Sequence, residues 1–315
     1  MRTHNYPGSV VPSWAAFFSH EQYQGFMQHV LNYFSGKQIS YHVHEGAVLH
    51  TDSAKQHFGK MGLLNLAQLC RLKPEHEWQN TIRQHFDGLM NATSTERAFS
   101  SKAHDFSFVK DHIAVRVYPT EYINAIKDGL IIGRSVTDGL YAMLVFDLPD
   151  SIVGVRPEQT IQWNMTNQEL FELGLENIRN KYRFRPAPQL LDGVSFHLLV
   201  EDHHYTPNIL FDLEKMEALK TDHGILVGVP NRHAVLIHPM ADIKVMQAIN
   251  RMIPAIHGMY KDGPGSISEK LYWLMNGKFI PLPYAIDARN ITLDPPESFL
   301  NILAFLSGGE DRSVA

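Results

Sequence analysis

Apolar residues recur at helical spacing over residues 20–35, where Tyr23, Phe26, Met27, Val30, Leu31 and Phe34 form one stripe. Ser19-His20-Glu21-Gln22 opens it as a capping box, in which the Ser19 hydroxyl accepts from the Gln22 amide and Gln22 reaches back. Gly36 suits the left-handed position that closes such a helix. Residues 38–43 and 47–52 then alternate, predicting a hairpin around Glu45-Gly46. A Leu-rich helix over 63–72 is cut by Pro74, and a second, opened by Glu75 and Glu77, is predicted to run to about Met90. The polar stretch 91–102 reads as a linker.

Beyond it the period changes to two. Residues 113–117, 130–134 and 140–147 look extended, with Thr137-Asp138-Gly139 as a turn and Leu148-Pro149 as a strand exit. Thr166 and Glu169 form a second capping box for a helix over 167–181, whose buried stripe is expected to be Leu170, Leu173, Ile178 and Phe171. Residues 194–200 and 205–211 read as one hairpin across Glu201-Asp202-His203-His204. A helix 213–220 follows, and then a second hairpin, 225–229 with 234–238, turning at Pro230-Asn231-Arg232. A helix over 243–260 is expected to bend or end at Pro254, and residues 266–275 read as a last helix.

Strands that arrive as hairpins predict an α+β fold with antiparallel sheets. Both halves place a hairpin after a helix, so two similar halves are a further expectation. The predicted domains are an N-terminal helix–hairpin–helix half over 1–95, an α+β half over 105–305, and a flexible tail over 306–315.

Three segments carry a family resemblance: Asp147-Leu148-Pro149; Glu169-Leu170-Phe171-Glu172-Leu173-Gly174-Leu175-Glu176-Asn177-Ile178; and Gly224 to Ile237, with Val229-Pro230-Asn231-Arg232-His233 at its turn. They resemble the YtpQ-like bacterial family, a domain of unknown function. Gly174 stands where that family usually has Ala, and His233 where it usually has Asp. The resemblance implies a cytoplasmic bacterial protein with no established reaction, and it supplies no catalytic residues.

Composition narrows the classes. The 315 residues can bury a sizeable core, and a net charge of −5 without a basic block argues against a nucleic-acid partner. Protonating all 18 histidines would turn −5 into +13, so acid would change the surface field strongly. The single Cys70 excludes an intramolecular disulfide and shares a helical face with Leu66 and Leu69, the setting of a buried structural thiol. No apolar run approaches the roughly 20 residues of a membrane span. The first residues carry only Arg2 and an apolar patch broken by Pro12 and Ser13, which does not fit a signal peptide. Cytoplasmic location is the expectation.

Metal signals are thin. His42 and His44 alternate on one strand face; His50 joins them only if the hairpin pairs 44 with 48 rather than 47. Glu201-Asp202-His203-His204 crowds its ligand atoms into one turn and reads as a solvated hairpin tip. His76-Glu77-Trp78-Gln79-Asn80 and His20-Glu21-Gln22-Tyr23-Gln24 lack the second histidine of the zinc-protease helix. Gly263-Pro264-Gly265-Ser266 could cradle an anion at a helix start, but it lacks the third glycine and the lysine of nucleotide loops. No Gly-x-Ser-x-Gly elbow is present. No cofactor is expected.

Three polar positions are not obviously required by the fold: Asp147, Asn177 and Arg232. Asn177 and Arg232 could recognise an anionic or peptide ligand; equally, Asn177 could brace backbone and Arg232 could pair with Glu176 or Asp147. Arg116, inside the apolar strand 113–117, would need a carboxylate if buried, with Asp147 and Asp105 as the sequence choices. The leading expectation is a non-enzymatic protein-binding or adaptor module, with a protein rather than nucleic acid or a membrane as partner. The alternatives are a hydrolase built on Asp147, Asn177, His197 and Arg232, and histidine-mediated metal or pH sensing.

Overall fold

A computed structural model of the chain describes residues 10–44, 48–51, 60–126, 129–287 and 290–308. They form helices and several antiparallel sheets, an α+β fold. Two compact units are present, Met1–Phe108 with Asp147–Val153, and Val109–Phe146 with Gly154–Ala315. The expectation of two similar halves is not confirmed.

In the first unit, α1 (His20–Gly36) carries the anticipated capping box: the Gln22 amide donates to Ser19 Oγ and the Ser19 amide to Gln22 Oε1, both at 3.1 Å. Gly36 remains helical. The left-handed residue is Gln38 (φ 56°), which lets the Ile39 amide reach back to the Phe34 carbonyl. Strands β1 (Tyr41–His44), β2 (Val48–Thr51) and β3 (Lys60–Gly62) form a small antiparallel sheet. The register is His44 opposite Val48 and His42 opposite His50, the three-residue-loop alternative. Glu45-Gly46 itself lies outside the described residues, as does most of the 306–315 tail.

Helices α2 (Leu64–Arg71) and α3 (Glu75–Ser100) complete the unit. The predicted linker over 91–102 is instead the end of α3. That stretch contains no Gly or Pro to break it, and it buries Ala92 and Phe99. Leu63, Leu66, Ala67, Cys70, Trp78, Ile82 and Phe86 pack with the α1 stripe into one core. Burial pushes the Cys70 thiol up to about 12, so it is a packing residue and not a nucleophile.

Between the units in sequence lies the short turn α4 (Phe106–Val109). The second unit then forms β4 (Ile113–Pro119), α5 (Thr120–Asn124), β5 (Gly133–Thr137) and β6 (Leu140–Asp147), paired in the order β4-β6-β5. After β7 (Ile152–Gly154) and α6 (Pro157–Thr160) comes α7 (Asn167–Lys181), with its Thr166–Glu169 capping box formed. Helix α7 buries Leu170, Phe171, Gly174, Leu175 and Ile178, while Leu173 is only half-buried. Gly174 is required by close approach: a Cβ there would lie 2.9 Å from the Ala114 carbonyl carbon of β4.

A six-stranded antiparallel sheet dominates this unit: β8 (Ala187–Leu191), β9 (Val194–Val200), β10 (Ile225–Asn231), β11 (Ala234–Pro239), β12 (Leu271–Met275) and β13 (Lys278–Leu282), in the order β13-β12-β10-β11-β9-β8. Alternation divides its faces. Phe196, Leu226, Leu236 and Trp273 pack against α8 (Val245–Asp262), and Val227, Ile237 and Tyr272 pack with Val117, Leu140, Ile209 and Leu213. Helix α8 continues through Pro254. Strands β14 (Tyr284–Ile286) and β15 (Ile291–Leu293) pair with each other, and α9 (Glu297–Gly308) follows.

Three further expected elements differ. Residues 205–211 are not a strand; the segment runs as 3-10 turns at Thr206–Phe211, Leu213–Lys215 and Glu217–Leu219, replacing the predicted helix 213–220 too. Pro207 cannot donate to a ladder, and Asn208 Nδ2 instead bonds the Val115 carbonyl at 2.7 Å. The true partner of β9 is β8. Residues 271–275 form a strand rather than a helix, because Leu271 to Leu274 are buried on both faces, where periodicity cannot separate the two forms.

Candidate functional site

The β10–β11 hairpin ends in a turn held from inside. Asn231 Oδ1 accepts the His233 amide, and Asn231 Nδ2 donates to the Met259 carbonyl, both at 2.9 Å. The Arg232 amide donates to the Gly265 carbonyl at 3.0 Å. Gly265 takes a left-handed conformation (φ 70°), and a Cβ on it would sit 2.6 Å from Arg232 Cδ. The Gly-Pro-Gly-Ser loop, with no helix after it, is therefore no helix-start cradle. It is a wall along which the Arg232 side chain lies.

Arg232 Nε–H donates to His233 Nε2 at 3.0 Å. That nitrogen must carry its lone pair, so the proton sits on Nδ1 and points to the Glu201 carbonyl at 3.1 Å. His233 is thereby fixed as a neutral imidazole, and it orients the guanidinium. Burial first, then the Arg232 charge, push His233 down to about 4. The His204 ring lies 5.3 Å from that of His233, edge-on. Burial, followed by the charges of Arg232 and Arg116, takes His204 to about 2.

Arg116 enters from β4. Its guanidinium carbon stands 4.6 Å over the Tyr118 ring, and its Nε is buried without a hydrogen-bond partner. Burial, then the charge of Arg116, pull Arg232 down to about 10, which leaves it charged at neutral pH. Burial raises the Tyr118 phenol, and both arginines oppose that shift. Among the described residues no carboxylate pairs with either arginine. Both carboxylates foreseen for Arg116, Asp105 and Asp147, belong to the other unit, and Asp105 accepts from the Ser107 amide and hydroxyl. Nor does Arg232 pair with Glu176, which is exposed on α7.

The remaining candidates separate. Asn177 Nδ2 donates to the Lys110 and Ile113 carbonyls, each at 2.8 Å, so it braces α7 to the start of β4. Asp147 closes β6, half-buried. His197, on β9, is lowered by burial. Asn177 and His197 thus sit on α7 and β9, apart from the hydrogen bonds of the Arg232 turn. Residues 201–204 are no hairpin tip: His203 and His204 are half-buried, and the His203 ring lies 3.9 Å from Tyr182. Tyr118 was not singled out by the sequence, and His204, Gly265 and His233 were weighed only as part of a metal-ligand turn, an anion loop and a family substitution.

Three surface cavities of about 550, 550 and 410 Å³ have other linings: Lys220–Ile225 with Leu274–Asn276, His257 with Glu269 and Tyr284, and Arg134–Val136 with Phe279. In the second, His257 Nε2 meets Tyr284 Oη at 2.9 Å, and Tyr284 donates to the Glu269 carbonyl, a satisfied clamp between α8 and β14. Among the described residues no group of three or more His, Cys, Asp or Glu is arranged to hold a metal ion. His42 is exposed on β1, and the side chains of His44 and His50 lie outside the described residues. Among them too, no helix is long and apolar enough to cross a membrane. Comparison of the chain with protein-family models, with curated proteins and with solved structures finds no match.

Proposed function

We propose that this protein is a non-enzymatic recognition module whose Arg116–Arg232 cluster receives an anionic group of a protein partner. One observation carries the reading: two half-buried guanidinium groups influence each other and share Tyr118, yet meet no carboxylate of the chain. Burying like charges together is costly, and arginines in such settings are normally paired. Arg232 spends Nε on His233, which leaves both Nη groups of its fork for a ligand. The neutral state of His233 and His204 adds no further repulsion at neutral pH. Kinship with the YtpQ-like family and a reducing, cytoplasmic setting belong to the same proposal. They rest on the segments quoted above and on the single buried Cys70.

The test is a thermal-shift panel of mono-, di- and trivalent anions on the wild type and Arg232→Ala. Stabilisation of the wild type by at least one anion class, lost in the variant while its own melting point is kept, supports the reading. No stabilisation by any anion, or a variant that melts far lower, overturns it.

A further inference from the structure

The anion seat can be assigned a ligand class. Resting on that proposed reading, we infer that the group received between Arg116 and Arg232 is a phosphoryl dianion, carried as a phosphate monoester. Charge comes first. The cluster holds two permanent cations and no anion of its own among the described residues, so a monocarboxylate would leave one guanidinium uncompensated and half-buried. A phosphate monoester carries about −1.5 to −2 at pH 7 and neutralises both.

Donor supply agrees. Arg232 presents its two Nη groups, its Nε being held by His233 at 3.0 Å. Arg116 stands beside it as a cation whose buried Nε has no partner, so its charge is not offset within the fold. The His204 imidazole makes no hydrogen bond among the described residues, and as a neutral ring it has one N–H to give. Tyr118 lies beneath Arg116, its ring centroid 4.6 Å from the guanidinium carbon. Such a set is wider than one carboxylate can accept in its plane, and it suits three terminal oxygens arranged as a tripod. Arginine forks match phosphate geometry better than lysine would. Gly265 lets this happen, because its missing Cβ allows Arg232 to lie against the loop rather than be pushed from the cluster.

The experiment is a calorimetric titration of the whole chain with inorganic phosphate, O-phosphoserine, acetate and succinate, on the wild type, Arg116→Gln, Arg232→Gln and His204→Gln. Inorganic phosphate or O-phosphoserine is expected to bind at least tenfold more tightly than acetate or succinate. Each arginine variant is expected to lose tenfold or more, and His204→Gln a few-fold. O-phosphoserine above inorganic phosphate assigns the group to a phosphorylated side chain; the reverse order assigns it to free phosphate, and either supports the class. Succinate or acetate binding as tightly as phosphate, still lost in Arg232→Gln, overturns the phosphoryl assignment and leaves the anion seat standing. No binding of any of the four overturns both. Phosphate binding that survives Arg116→Gln and Arg232→Gln unchanged overturns the assignment to this cluster.

Discussion

Arg179, near the end of α7, donates from Nε and Nη2 to the two oxygens of Asp212, each at 2.8 Å, and Lys215 Nζ adds a contact at 3.0 Å. Burial alone would raise the Asp212 carboxyl, but the hydrogen bonds from Arg179 and Lys215 hold it below its usual range. Arg116 and Arg232, in the same unit, receive no such partner, although both are half-buried. One cation is therefore closed by the fold with a bidentate fork, and two are kept open beside one another. The contrast separates structure from function more sharply than charge or exposure does, since all three arginines are comparably covered. What distinguishes the open pair is the scaffold around it: a neutral imidazole at Nε, a glycine wall and an aromatic floor, all of which position a guanidinium without neutralising it.

Several substitutions sharpen or break that contrast. The double variant Arg116→Gln/Arg232→Gln should lose phosphate affinity by about 100-fold or more, close to 3 kcal/mol. Its stability in urea should stay within about 0.5 kcal/mol of the wild type or rise, because a like-charge pair has been removed. Arg179→Ala should do the reverse. Removing the fork leaves Asp212 with Lys215 alone, costing roughly 1–2 kcal/mol once partial exposure of the pair is allowed for, and phosphate binding should be unchanged.

The histidines predict an acid limb. His204 and His233 have folded values near 2 and 4, below the 6.5 of an unfolded histidine, so between those limits the folded state binds fewer protons. The stability is complete above about pH 6.5 and falls as pH drops through that window. Urea midpoints from pH 7 to pH 4 should decline, and His233→Gln should flatten part of the slope. Gly265→Ala should cost about 1 kcal/mol through its left-handed backbone and weaken phosphate binding by displacing Arg232. The smallest change is expected from Asn177→Ala: about 1 kcal/mol of stability for the brace on Lys110 and Ile113, and none of the binding.

Local chemistry was legible in the chain; convergence was not. The capping boxes at Ser19 and Thr166 and the β10–β11 hairpin depend on residues a few positions apart, and all three form as the pattern implied. Elements decided by tertiary burial were misread. Leu271–Met275 is apolar on both faces, so helix and strand look alike. The turns after Tyr205 are fixed by Pro207 and by Asn208 reaching the distant Val115 carbonyl. The same divide runs through the site. Arg116 was conspicuous inside an apolar strand, and Arg232 in its turn, but nothing near either residue shows that β4 and the β10–β11 turn bring them together. Asn177 stood out for its polarity and proved to be a backbone brace. His204 reads in sequence as part of a solvated tip, because its burial comes from the distant Arg232–His233 turn.

The most direct test of an open arginine pair is a urea titration of the wild type and Arg116→Gln/Arg232→Gln, with and without saturating inorganic phosphate. The two proteins are expected to unfold alike without phosphate, and phosphate to move the wild-type midpoint upward and leave the variant where it was. A variant more than about 2 kcal/mol less stable without phosphate, or one stabilised by phosphate as much as the wild type, would contradict it.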